Sequence, residues 1–163
     1  MNPDSFQQLV LTLTDPLFRF ALWRLGQREE AEDAVQETFL RMWKMRNNLN
    51  RYERPDYLAF HILRNWCIDR ARKKKVEWED WSVYVENAKD LLTPQRQMEL
   101  QEELHQVEKA AQQLPEQQRT ILFLRNVEGY STKEVANMLG LKVNTVEVNL
   151  SRARRRLRKV FQK

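Results

Sequence analysis

Ser131-Thr132-Lys133-Glu134 opens a short apolar-periodic helix, Gly140 closes it, and a second periodic run follows within a few residues. Residues 131–157 therefore read as two helices joined by a tight turn. The Ser131 hydroxyl is positioned to accept from the Glu134 amide and the Glu134 carboxylate to accept from the Ser131 amide, which makes a capping box. Val135, Ala136 and Leu139 face inward, Gly140 supplies a left-handed turn, and Leu141 packs beneath it. The spacing of Ala136, Gly140 and Val146 is that of a helix-turn-helix. A small residue lets the helices approach, Gly makes the turn, and a β-branched residue seats the second helix. The bland alternative is an ordinary helical hairpin. Three matched positions, the capping box and the basic tail that follows favour DNA binding.

The second helix is expected to begin near Asn144. At about 100° per residue, Val146, Leu150, Ala153 and Leu157 fall within one arc and form its core side. Val148, Ser151, Arg152 and Arg155 point the opposite way and are the first candidates for base-edge contacts in a major groove. Arg154, Arg156, Arg158 and Lys159 flank them and suit phosphates, which position without specifying. Glu147 has two readings. It accepts from a cytosine amino group, or, the favoured reading, it closes a second capping box with Asn144.

The rest of the chain also reads as helix. Phe6, Leu9, Val10, Leu13, Leu17, Phe20, Ala21 and Leu25 follow three-four spacing over residues 5–25, with a bend or break expected at Pro16 and a stop at Gly26. Residues 28–46 start with Glu29, Glu30, Glu32 and Asp33 and end with Lys44 and Arg46, matching the helix dipole. Their apolar stripe is Val35, Phe39, Met42 and Trp43, and Asn47-Asn48 is the stop. A third helix begins at Pro55 and runs to about Lys75. It points Ala59, Ile62, Leu63, Trp66 and Cys67 inward, with Arg64, Asn65, Ile68 and Arg72 largely on another face. Periodicity fades over residues 76–92, where a net charge of −4 is interspersed with Trp78, Trp81 and Tyr84, so this is read as a linker. Thr93-Pro94 opens a polar helix to Leu114. Pro115 starts another that carries Ile121, Leu122, Leu124 and Val127 and ends at Gly129. With only three glycines and 31% charged residues, the composition suits an all-α protein better than a turn-rich β protein.

Charge is concentrated. Residues 64–75 carry +5 and residues 151–163 carry +7 against +5 for the whole chain, leaving −7 for everything else. Two basic clusters on an acidic chain suit two contacts with a polyanion; the competing reading is two solvated helix ends. The lone cysteine, Cys67, allows neither an internal disulfide nor a cysteine-based zinc site and fits a reducing compartment. The first residues lack the pattern of a signal peptide, and no apolar run approaches a membrane span. A cytoplasmic protein without metal or cofactor is expected.

Several of these segments resemble the sigma-70 family, in particular its compact extracytoplasmic-function group. Tyr130–Ala136, Asn144-Thr145-Val146 and Leu150-Ser151-Arg152-Ala153-Arg154 resemble the family's −35-reading domain. Leu114-Pro115-Glu116, Arg119 and Ile121-Leu122 resemble its preceding helix. Ala31-Glu32-Asp33-Ala34-Val35-Gln36-Glu37-Thr38-Phe39-Leu40 resembles the motif that grips the polymerase β′ clamp helices. Tyr57-Leu58, Ile62, Arg64-Asn65 and Ile68-Asp69 resemble the −10-binding helix.

The resemblance implies two small helical domains, at 1–76 and 95–163, with an acidic linker at 77–94. It implies a non-catalytic subunit that binds core RNA polymerase, through the β′ clamp helices and β flap, and promoter DNA, with an anti-sigma factor as a further partner. Asp33, Gln36, Glu37 and Leu40 share one helix face and would dock on polymerase. The −10 element would meet Arg64, Asn65, Arg70, Arg72 and Lys73, with one unstacked base entering a pocket formed by Asn65 and the loop of roughly residues 50–56, where Asn65 pairs with the base edge and Tyr52 or Tyr57 stacks on it. The −35 element would meet Lys142, Asn144, Thr145, Val148, Ser151, Arg152, Arg155 and Arg156. The linker either mimics nucleic acid in the polymerase cleft or is merely soluble. Two departures stand out. Lys142 occupies a position where many relatives have a capping Ser or Thr, which would shift the helix start to Asn144, and Glu147 is acidic where a basic residue is frequent.

The competing reading is a free-standing helix-turn-helix regulator that binds duplex operators alone. Against it, the N-terminal half resembles no sensor domain and has its own basic cluster. An enzyme lacks support, because His61 and His105 are isolated and no phosphate loop or nucleophile-base set is present.

Overall fold

The computed structural model describes residues 1–73 and 93–161, and every regular element among them is a helix. The proposed linker contacts of Trp78, Trp81 and Tyr84 lie outside the described residues. Helix α1 spans Pro3–Leu25, and its first turn is capped by the Asn2 side chain, which accepts from the Ser5 amide. Gly26 ends it at φ 73°, the left-handed geometry that a side chain would strain. Pro16 does not break it. Proline leaves the Thr12 carbonyl without its usual amide donor, but Leu13, Leu17 and Phe20 on either side are buried and hold the helix to the core.

Helix α2 covers Arg28–Lys44, two residues shorter than expected, because the chain tightens into a 3₁₀ turn over Arg46–Arg51 that buries Leu49. Helix α3 covers Pro55–Lys73. Beyond residues 74–92, α4 covers Pro94–Gln113, with the Thr93 hydroxyl accepting from the Arg96 amide at 3.2 Å. Helix α5 covers Glu116–Leu122 and widens into a π-turn over Phe123–Val127, where the Glu128 amide reaches back to the Phe123 carbonyl. Helices α6, Thr132–Leu139, and α7, Val143–Phe161, complete the chain.

Helices α1, α2 and α3 pack on one another around Leu17, Phe20, Ala34, Met42, Leu63 and Cys67. Helices α5, α6 and α7 pack around Ile121, Leu124, Val135, Val146 and Ala153. The two cores are continuous. The Phe20 ring meets Phe60 at 5.8 Å and Phe123 at 5.3 Å, both edge-on, a geometry that adds ~0.5–1.5 kcal/mol per pair beyond area burial. This explains a surplus of burial that the three-four stripe of α1 does not contain. Leu22, Trp23 and Arg24 are buried because the C-terminal helices cover the end of α1.

Candidate nucleic-acid interface

The expected capping box is present. The Glu134 amide donates to Ser131 Oγ at 3.1 Å and the Ser131 amide donates to Glu134 Oε1 at 3.2 Å. Gly140 takes φ 67° and hands the chain to α7. The start of α7 differs from the sequence expectation. The Val146 amide bonds to the Lys142 carbonyl at 3.1 Å, so Lys142 is the capping residue and Asn144 lies inside the first turn. Asn144 therefore has helical backbone and makes no cap for Glu147. Glu147 is exposed and borders an open groove of about 710 Å³ with Leu122, Arg125, Leu150, Arg154 and Leu157.

The phasing of α7 holds. Val146, Leu150 and Ala153 are buried, whereas Val148, Ser151, Arg152 and Arg155 all face solvent. Lys142, Asn144 and Arg156 are exposed and Thr145 is half-buried. Arg154 is exposed but tethered, donating to Asn126 Oδ1 at 2.9 Å. The result is one cationic helix face with a hydroxyl and a small apolar side chain at its centre.

On α2, Asp33, Gln36 and Leu40 are exposed along one side, Leu40 at 47%. Glu37 shares this face and accepts from Arg41 at 3.1 Å, one turn on.

The α3 candidates divide. Asn65 and Arg72 are exposed, with Asn65 Nδ2 3.3 Å from His61 Nε2. The Lys73 side chain lies outside the described residues. Arg70 makes a two-pronged pair with Glu30 at 2.6 and 3.0 Å and lies near the Trp66 ring. Arg64 makes the same kind of pair with Glu116, at 2.7 and 2.9 Å. Tyr52 is 42% exposed and borders a cavity of about 280 Å³ with Arg54, Tyr57 and His61. This cavity borders the loop named for the single-strand pocket, but Asn137 and Met138 of α6 also line it and Asn65 does not.

These contacts join the N-terminal and C-terminal halves of the chain. Tyr57 Oη donates to Glu134 Oε2 at 2.8 Å, and Tyr130 Oη donates to Asp56 Oδ2 at 2.9 Å. Arg19 pairs with Glu128 at 2.9 Å, and the Trp23 indole N–H donates to the Arg119 carbonyl. Arg119 in turn donates to the Arg24 carbonyl at 3.0 Å. Burial pulls the Arg24 and Arg119 guanidiniums below their ordinary range, Arg119 to about 10. Burial also pushes Glu116 up, but the Arg64 hydrogen bond and the charges of Arg24 and Arg64 outweigh it and hold the carboxyl below its ordinary range. Burial likewise raises Asp56, and the Arg54 and Tyr130 hydrogen bonds reverse it. The Cys67 thiol, buried beside these groups, is pushed up to about 12.

Two family models match the chain: Sigma-70 region 2 over residues 9–77 and Sigma-70, region 4 over residues 104–157. The chain is 31% identical to the ECF RNA polymerase sigma factor SigL of Mycobacterium tuberculosis over 147 residues, covering 90% of this chain and 82% of that protein. The structure of CnrH in complex with the cytosolic domain of CnrY superposes with a TM-score of 0.71 at 25% identity, covering 98% of this chain and 89% of that one. The sigma factor RpoE in complex with the anti-sigma factor NepR from Bartonella quintana superposes with a TM-score of 0.69 at 24% identity, covering 97% of each chain.

Fold and helix-turn-helix together define a DNA-binding, two-region transcription initiation protein of the sigma-70 type. The chain belongs to the ECF RNA polymerase sigma factors. Among the described residues, no helix is long and apolar enough to cross a membrane.

Proposed function

We propose that this sigma factor brings core RNA polymerase to its promoters by dividing the work between its two regions. Residues 1–76 form the unit that binds polymerase and opens the −10 element, residues 77–94 the linker, and residues 95–163 the unit that reads the −35 element. What supports the reading most is the division of side chains along α7. Its apolar residues are buried, while Val148, Ser151, Arg152 and Arg155 are exposed on the opposite side. An α-helix with such a face fits a major groove. Lys142, Asn144, Thr145 and Arg156 extend it along the backbone, where cations and polar groups position the helix.

Asp33, Gln36, Glu37 and Leu40 give α2 an acidic-amide-aliphatic face that suits a basic helical partner, taken here as the β′ clamp helices. The β flap is proposed as the second polymerase contact, on the C-terminal unit. Asn65, Tyr52, Tyr57, Arg64, Arg70, Arg72 and Lys73 are proposed to take the opened −10 strand, with base-aromatic stacking worth ~1–3 kcal/mol per base. An anti-sigma factor is proposed as a regulator, since a structural relative is solved with one. The protein is proposed to work in the cytoplasm, without catalysis of its own.

Run-off transcription with purified core polymerase tests this reading. Promoter-specific transcripts that depend on the added chain are expected. A chain that binds duplex operators tightly alone and yields no transcript would be a free-standing regulator instead.

A further inference from the structure

Glu147 is the only acid in α7, a helix that otherwise carries Arg152, Arg154, Arg155, Arg156, Arg158 and Lys159. Its side chain is exposed and enters no hydrogen bond or ion pair among the described residues. Spacing explains this. The residues three and four positions away are Val143, Asn144, Leu150 and Ser151, so no cation of the helix lies beside it. Two arginines share its groove, and both are engaged elsewhere. Arg154 donates to Asn126, and Arg125 donates to Thr132 Oγ1 and to the Tyr130 carbonyl, each at 3.3 Å. Arg158 is three turns further along the helix. Nor does Glu147 cap α7, because Asn144 already lies inside the first turn.

An unpaired carboxylate on a DNA-facing helix carries a cost. It repels the phosphates of every duplex alike, and only a hydrogen-bond donor on a base edge offsets that repulsion. An ionised carboxylate accepts and never donates. In the major groove the donors are the cytosine N4 and adenine N6 amino groups. The two differ in their neighbours. Adenine N6 lies between two acceptors, its own N7 and the O4 of the paired thymine, and both repel a carboxylate. Cytosine N4 has such a neighbour on one side only, the guanine O6, with its own C5–H on the other. Guanine and thymine edges present acceptors and no donor there. Cytosine is therefore the base that a carboxylate prefers.

We infer that Glu147 is a specificity-determining residue of α7 that accepts from the N4 amino group of one cytosine, so that this base pair is selected by repulsion of the other bases as much as by attraction. This rests on the reading of α7 as the helix that enters the −35 major groove. Glu147 is the fifth residue of α7, in the N-terminal part with which a helix-turn-helix meets base edges. It stands one turn from Asn144 on one side and one turn from Ser151 on the other, two residues of the same DNA-facing set. The cytosine it selects thus lies among the base pairs that those residues meet.

The test lets the full chain and its Glu147→Ala and Glu147→Gln variants each select from a library of randomised DNA duplexes, with the bound DNA sequenced. Because Glu147 is exposed and unpaired, both variants keep the fold, which circular dichroism checks. The wild type is expected to enrich cytosine at one position by roughly ten-fold over the other bases. Glu147→Ala should level that position to within about two-fold and leave its neighbours unchanged. Glu147→Gln should turn the preference to adenine, because an amide both accepts from N6 and donates to N7. A cytosine preference that survives in both variants overturns the inference, as does a wild-type selection without a cytosine position. A wild type that enriches no sequence at all removes the groove-reading role of α7 as well, so failure of that reading is distinguishable from failure of the assignment to Glu147.

Discussion

Arg152 and Arg154 are two residues apart on α7, yet they stand in different situations. Arg154 is anchored to Asn126, whereas Arg152 is exposed on the face that carries Val148, Ser151 and Arg155. Replacing Arg152 with Ala is therefore predicted to relax preference at one −35 base pair by ~1–3 kcal/mol. Replacing Arg156 with Ala should weaken binding to all sequences alike and flatten the salt dependence. Competition binding against a panel of single-base-pair variants separates the two, and a uniform loss for Arg152 would make it a phosphate contact. Cys67 supplies a second residue-scale prediction. Its thiol is buried and pushed up to about 12, so little thiolate is available at neutral pH. Ellman's reagent should leave the native chain essentially unlabelled over minutes and label one thiol in denaturant; prompt native labelling would mean that α3 is not packed as described. At this scale the sequence was legible wherever a rule is local. The Ser131–Glu134 box, the Gly140 turn and the outward face of α7 all follow from spacing. The start of α7 was misread because a capping Ser or Thr was sought, whereas the Lys142 backbone carbonyl accepts the first helical bond whatever its side chain.

Among the elements, α6 depends most on its cap, being only eight residues long. Ser131→Ala is predicted to destabilise the C-terminal half by ~0.5–2 kcal/mol, seen as a lower unfolding midpoint in urea. Helix α2 should behave oppositely. Asp33 and Glu37 lie on its exposed side, and the Glu37–Arg41 pair is solvated, so replacing both acids with Ala should change stability by less than ~1 kcal/mol. Affinity for core polymerase should fall nonetheless, while duplex DNA binding by the full chain is retained. Equal loss of both activities would remove the docking assignment from α2. Helix boundaries were legible to within about two residues where a cap or a charge gradient marks them. The break allowed for at Pro16 does not occur, because its cost is set against burial of Leu13, Leu17 and Phe20 by distant segments, which no local pattern reports.

For the whole molecule, the arrangement of the two halves was not legible at all. Trp23, Arg24 and Glu116 belong to an interface between residues some ninety positions apart, and nothing in their local sequence marks them as partners. Arg64 read as a phosphate ligand because a lone Arg in a basic run has no visible counter-ion, and its carboxylate is supplied from the other half. This interface makes closure pH-dependent. Glu116, Asp56 and Glu134 all titrate below their ordinary values. Depressed carboxyls contribute fully above those ordinary values, and the contribution is lost as pH falls through the lower values of the closed form. Scattering should thus report a compact chain at neutral pH and expansion below about pH 4, and unchanged dimensions across that range would contradict the ion-pair account. The central claim is that a polymerase-docking face on α2 and a DNA-reading face on α7 act together to start transcription. Run-off transcription with purified core polymerase on a promoter library tests it most directly. The account predicts discrete start sites that appear only with the chain added and vanish when Asp33 and Glu37 are replaced. Transcripts no different from core polymerase alone would contradict it.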